Sequence, residues 1–344
     1  MRLARVLLLL VAACGGRTGL GSGGGASSDA GADVAVNDAT GGCEDEILAY
    51  DTVGATALAV DGDTVFWGTI DGRVLRHDAS GTVTLATETS TIDAMSVDAS
   101  RVYYGMVGFL RTVPRAGGAV TTIADKMGQP VALTVDQGTA FLLDRGAGIT
   151  AGRALRVELD GTVTPLLTGL DVPSGPAVDA TNVYVACQLA LLNATAIDGP
   201  PLSVAKTGGA PVVVTTGLKE PSSVAVDASR IYFVDQVDAQ TTLHGGLRAI
   251  DETGGTVTTI ATTPDVLPLD VTVDPSGAYV TTYSNTAGGE LFVAALDGSK
   301  KTSLAGTPGV LYGFVRTNAR AVYWTLNWSG VRHEGAPSLR KHCK

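Results

Sequence analysis

Residues 223–235 read Ser-Val-Ala-Val-Asp-Ala-Ser-Arg-Ile-Tyr-Phe-Val-Asp: a short apolar strand running into Asp227, three turn residues, then an apolar-aromatic opening of a second strand. The same phrase recurs along the chain. Its turn acid stands at Asp61, Asp98, Asp136, Asp179, Asp227 and Asp274, with Asn318 in the seventh place. Five residues after each comes an aromatic: Phe66, Tyr103, Phe141, Tyr184, Tyr232, Tyr279 and Tyr323. In a chain only 5% aromatic this phase-locking marks a repeat, and its spacing of about 43 residues fits one four-stranded propeller blade.

The rest of each unit supplies the other strands. After the second strand comes an alternating third one, as in Gly72-Arg73-Val74-Leu75-Arg76 or Gly246-Leu247-Arg248-Ala249-Ile250. A glycine turn follows (Gly117-Gly118, Gly208-Gly209, Gly254-Gly255), then a Thr/Val-rich fourth strand such as Val257-Thr258-Thr259-Ile260-Ala261. Long helical periodicity is absent from the body, which argues against α/β alternatives. The turn acid reads as an Asx-type cap, its oxygen accepting backbone N–H groups two or three residues on, and Asn318 can do the same. First strands carry small residues two and four positions before the Asp, as at Ala59 and Ala57, Ser96 and Ala94, Thr134 and Ala132, Ala225 and Ser223. Side chains crowding the axis of a radial array must be small, so these strands are expected innermost.

The fold expected is therefore all-β, a seven-bladed β-propeller over residues 43–344. The seventh unit runs out after its third strand, near Ser338-Leu339-Arg340-Lys341, while Glu46-Ile47-Leu48-Ala49-Tyr50 precedes the first innermost strand. Setting this N-terminal strand beside the last one completes the last blade and removes two sheet edges. Cys43 and Cys343 then fall at adjacent strand ends and are expected to form a disulfide, whereas Cys187 reads as a buried small hydrophobe.

Upstream of this body, residues 1–13 carry two positive charges, Arg2 and Arg5, and the apolar run Val6 to Ala13, the pattern of an export signal. Val11-Ala12-Ala13-Cys14 resembles the lipobox of bacterial lipoproteins, which implies acylation of Cys14, and Gly15 after it implies the outer membrane. Residues 14–42 are rich in Gly, Ala, Ser and Asp and read as a flexible tether. The units resemble YWTD and NHL β-propellers and bacterial exported proteins with Val-Tyr-Trp strands. The closest local matches are Tyr323-Trp324-Thr325, Val65-Phe66-Trp67, Tyr232-Phe233-Val234-Asp235 and Phe141-Leu142-Leu143-Asp144.

Function is less legible than fold. A net charge of −10 argues against a nucleic-acid partner, and no apolar run is long enough for a membrane-spanning helix. Membrane association is expected through the lipid anchor alone, and the body is expected to be monomeric. Ligands of propellers meet the face built from loops entering the innermost strands and loops joining the second and third strands. On that face Asp93, Asp235, Asp270 and Trp328 are candidate ligand-binding residues, together with Arg316. Asp270 and Arg316 break the small-residue rule on adjacent innermost strands, as a salt bridge between blades or as a ligand-binding pair. The expected role is a cell-envelope binding or scaffold module for a protein or glycan. The alternative is a lactonase-like, metal-dependent hydrolase or lyase, the one case in which Ca²⁺ would be expected; otherwise no cofactor, catalytic residue or metal ligand is expected. That alternative rests on His244, Glu220 and Asp235 alone, all from one region of the ring.

Overall fold

The computed structural model describes residues 46–50, 54–146, 151–192, 195–218, 220–239, 242–284, 289–307, 311–327 and 338–344, and among them every regular element is a strand. The expected leader and tether, with Cys14, Cys43 and Trp328, lie outside the described residues.

The chain opens with β1 (Glu46–Tyr50). One sheet then runs in chain order through β2 (Ala55–Asp61), β3 (Thr64–Thr69), β4 (Arg73–Asp78) and β5 (Gly81–Thr87), and the next through β6 (Ala94–Val97), β7 (Arg101–Met106), β8 (Phe109–Pro114) and β9 (Thr121–Asp125). An eight-stranded sheet follows: β10 (Pro130–Asp136), β11 (Thr139–Asp144), β12 (Gly152–Val157), β13 (Val163–Val178), β14 (Asn182–Leu192), β15 (Thr195–Asp198), β16 (Leu202–Ala205) and β17 (Val212–Val213), with β15 branching from β14. Two more four-stranded sheets hold β18 (Ser223–Val226), β19 (Arg230–Ala239), β20 (Thr242–Asp251) and β21 (Thr258–Pro264), then β22 (Leu267–Asp274), β23 (Gly277–Tyr283), β24 (Gly289–Ala294) and β25 (Lys301–Thr307). The chain ends with β26 (Leu311–Thr317), β27 (Ala321–Asn327) and β28 (Ser338–Cys343), whose sheet has the order β1-β28-β27-β26.

That last order is the expected closure. β1 lies antiparallel to β28, with Glu46 opposite Lys341 and Tyr50 opposite Ser338. First strands pack in a cycle, β2 on β6, then β10, the end of β13, β18, β22 and β26, which returns to β2. The architecture is a β-propeller. It departs from the sequence expectation at β13, which serves as the outer strand of one unit and the inner strand of the next without a break. Pro173 and Gly175 disguise that continuity in the sequence, because both residue types ordinarily punctuate strands. Gly175 adopts φ +48°, and an added Cβ would stand 2.9 Å from the Val224 nitrogen, so the strand bends there where only glycine fits against β18.

Apolar cores lie between neighbouring sheets. Phe66 and Val74 pack with Val102 and Tyr104 of the next sheet, and Leu58 and Trp67 pack with Tyr323 and Leu339 across the seam where the ring closes. The turn acids behave as expected and do more. Asp98 accepts the Ser100 and Arg101 backbone N–H groups at 2.7 and 2.8 Å, and its second oxygen accepts the Tyr103 hydroxyl at 2.7 Å. Asp179 and Tyr184 (2.6 Å), and Asp227 and Tyr232 (2.9 Å), repeat this clasp, each bond contributing about 1 kcal/mol. In these three units the tyrosine stands five residues on, where its hydroxyl reaches back to the acid that opens the turn. Where the aromatic is phenylalanine, a cation from the following unit takes over: Arg115 pairs with Asp61 and covers the Phe66 ring, and Lys206 pairs with Asp136 at 2.5 Å and covers Phe141.

Candidate functional site

The innermost strands surround an axial cavity of about 340 Å³. Its wall includes the small residues that the sequence placed there, Ala57 and Ala59, Ala94 and Ser96, Ala132 and Thr134, Ser223 and Ala225, and Ala177 joins them. Three charged side chains interrupt this wall: Asp93, Asp270 and Arg316.

Asp270 and Arg316 meet, Nη1 of the arginine donating to Oδ2 at 2.7 Å. The same oxygen accepts the Val315 backbone N–H at 3.0 Å, and Oδ1 accepts the Ser223 hydroxyl at 2.8 Å. One carboxylate thereby ties β22 to both of its neighbours, β18 and β26. The Arg316 side chain remains 35% exposed, so the pair is solvated from the channel rather than sealed in the core.

Asp93, at the entrance to β6, is placed differently. The residue is 8% exposed, and among the described residues its carboxylate has neither a hydrogen-bond nor a salt-bridge partner. Burial pushes its carboxyl up to about 6, against the opposing pull of Arg145. Arg145 follows the end of β11 and also draws on Asp171 in β13, whose carboxyl burial raises in the same way. The guanidinium reaches neither acid as a salt bridge, and its Nε is buried without an acceptor. Three adjoining units thus contribute an acid, a base and an acid that influence one another at a distance.

Other predicted positions have local duties. Asp235 receives Arg248 Nε at 3.2 Å, and burial raises its carboxyl against that guanidinium. Asp144, on the loop face, is capped by the Gly128 and Gly146 N–H groups and by Arg153, which together outweigh its burial and hold the carboxyl below the usual range. Of the trio His244, Glu220 and Asp235, the His244 side chain lies outside the described residues, and among the described residues no group of three His, Cys, Asp or Glu gathers as a metal centre would require. Cys187 is buried and free, its thiol pushed up to about 12 by burial and by Asp171, the setting of an inert packing residue. Sequence reasoning missed Asp171 and the Ser223 contact, since neither stands in a pattern that period or spacing could flag.

No protein-family profile matches the sequence, and no curated protein matches it. Solved structures do match. U3-55K aligns with a TM-score of 0.65 at 10% identity, over 88% of this chain and all of that one. The WD40 domain of Pan2 from Neurospora crassa gives 0.60 at 12% identity over 84% and 89% of the two chains. The extracellular domain of BT4673 from B. thetaiotaomicron gives 0.62 at 10% identity, over 86% of this chain and 39% of that one. At such identities the likeness is one of fold, the β-propeller.

Proposed function

We propose that this chain is a binding or scaffold module of the bacterial cell envelope, anchored in the outer membrane through an acylated Cys14, with the mouth of its axial channel as the working surface. The observation that carries this reading is the axial cavity itself, a wall of small residues interrupted by Asp93, Asp270 and Arg316. Charged groups facing a concave space are the ordinary makings of a small-ligand site, and a volume of about 340 Å³ is at the small end of the range for such sites.

The organisation that goes with it is a signal at 1–13, a tether at 14–42 and a monomeric propeller at 43–344, its units similar to those of YWTD and NHL propellers. Treating the eight-stranded sheet as two modules sharing β13 gives seven blades. A Cys43–Cys343 disulfide would lock the closure. In its favour, β1 lies beside β28 with Glu46 opposite Lys341, and of the two cysteines among the described residues Cys187 is free and Cys343 is not.

Native mass spectrometry of the chain extracted from its own membrane in mild detergent tests the whole reading. Wild-type protein should carry acyl mass at Cys14, lack two hydrogens for the disulfide, and hold a small noncovalent adduct. Ala132→Leu, which narrows the channel wall, should lose the adduct and keep the rest. An unacylated Cys14 overturns the anchor, and an adduct held equally by both proteins overturns the channel as the site.

A further inference from the structure

Resting on the reading of the channel as the ligand site, we propose that the axial cavity takes a small primary ammonium compound whose nitrogen is received by the Asp93 carboxylate.

The argument starts from charge. In the cavity wall stand two carboxylates, Asp93 and Asp270, and one guanidinium, Arg316. Arg316 is committed to Asp270, and Arg145 is shared at a distance between Asp93 and Asp171 without a salt bridge to either. One positive charge is missing from this set. A carboxylate that is 8% exposed and unpartnered costs the fold free energy unless something completes its hydrogen bonding. Asp93 lines the cavity, so a group arriving there can do so.

The chemistry of the visitor follows from its surroundings. A divalent metal needs several oxygen or nitrogen ligands, and no such group gathers among the described residues. A quaternary ammonium is held by aromatic faces, and Phe314 is the one ring in the wall. A primary ammonium instead requires a carboxylate and hydrogen-bond acceptors at its head and apolar contact along its stem. Asp93 supplies the first, and Ala94, Val131 and Ala132 supply the second. A cavity of about 340 Å³ ringed by the innermost strands has room for a small free amine and little for the polypeptide around a lysine side chain.

The test is a titration of the full chain in detergent with n-butylammonium, n-butanol and butyrate, and with a blocked Ala-Lys-Ala peptide, followed by ligand-observed NMR. We expect saturable binding of n-butylammonium, weaker binding of the isosteric alcohol, the anion and the peptide, and a loss of about tenfold or more in Asp93→Asn. Cooperative melting of that variant confirms that it is folded, and Ala132→Leu, which leaves Asp93 untouched, should also weaken n-butylammonium. Equal affinity in wild type and Asp93→Asn overturns the role of Asp93. Preference for butanol or butyrate overturns the ammonium class while leaving the channel as a binding site. Tighter binding of the peptide overturns the free-amine source. Should no probe bind, the channel reading falls with the proposal.

Discussion

Replacing Asp270 with alanine is expected to cost about 3 kcal/mol of stability, read as a fall in the urea midpoint with the slope unchanged. Most innermost strands carry a small residue at this position, Ala57, Ala94, Ala132, Gly175 and Ser223 among them, so size is not what the wall requires there. What alanine removes is a set of bonds. The Val315 N–H, on a residue with no exposure, loses its acceptor, the Ser223 hydroxyl loses another, and Arg316 loses its counter-ion. The solvated ion pair contributes at most about 1 kcal/mol, and the Val315 N–H and Ser223 hydroxyl left without their acceptor cost about 1 kcal/mol or more each, which together come to about 3 kcal/mol. In a double-mutant cycle with Arg316→Ala the two losses should not add, since each removes the same bond. A change below about 1 kcal/mol, or simple additivity, would show that Asp270 does not tie its sheet to the neighbours.

The second large effect has the opposite sign. Asp93→Asn should stabilise the protein near pH 8, by about 2 kcal/mol, and leave it unchanged near pH 4. The carboxyl lies near 3.8 in the unfolded chain and at about 6 in the fold, so between those values the folded protein binds the extra proton. Stability from this group therefore falls as pH rises from about 4 to about 6 and is level above that. The full shift corresponds to about 3 kcal/mol, from which the cost of burying the asparagine amide must be taken. The turn acids Asp98, Asp179 and Asp227 act in the other direction. Burial raises them, but their hydrogen bonds outweigh it and hold them low, so their contribution is lost as pH falls through the acid range. They are common to both proteins and cancel in the difference. Melting temperatures of the pair across pH 4–8 check this, and a difference that is constant with pH, or a variant less stable at pH 8, would contradict it.

The repeat made much of the fold legible. Asp and an aromatic five residues apart recur because the turn cap and the ring, or its hydroxyl, are one local device, and local devices leave local spacing. Closure was legible for a different reason: a strand missing at one end and spare at the other have one economical pairing. The Asp270–Arg316 pair could be found because both break the small-residue rule on adjoining strands. Less could be read where the partners are distant in the chain. Asp93, Arg145 and Asp171 come from three successive units and are joined by ring geometry alone, so nothing in the sequence near any of them names the others. Asp144 shows the converse. It closes a strand whose motif the sequence displays, and its oxygens are taken up by its own loop and by Arg153, contacts that the motif does not name. β13 was hidden by its own proline and glycine, which bend a continuous strand instead of ending it.

A crystal structure of the protein grown with 3-bromopropylammonium, its bromine located by anomalous scattering, tests the account most directly. The account predicts β1 seated beside β28 with Cys43 bonded to Cys343, and one bromine site inside the axial cavity with the ammonium against Asp93. Bromine sites confined to the outer surface, or an empty axis in a closed ring, would contradict it.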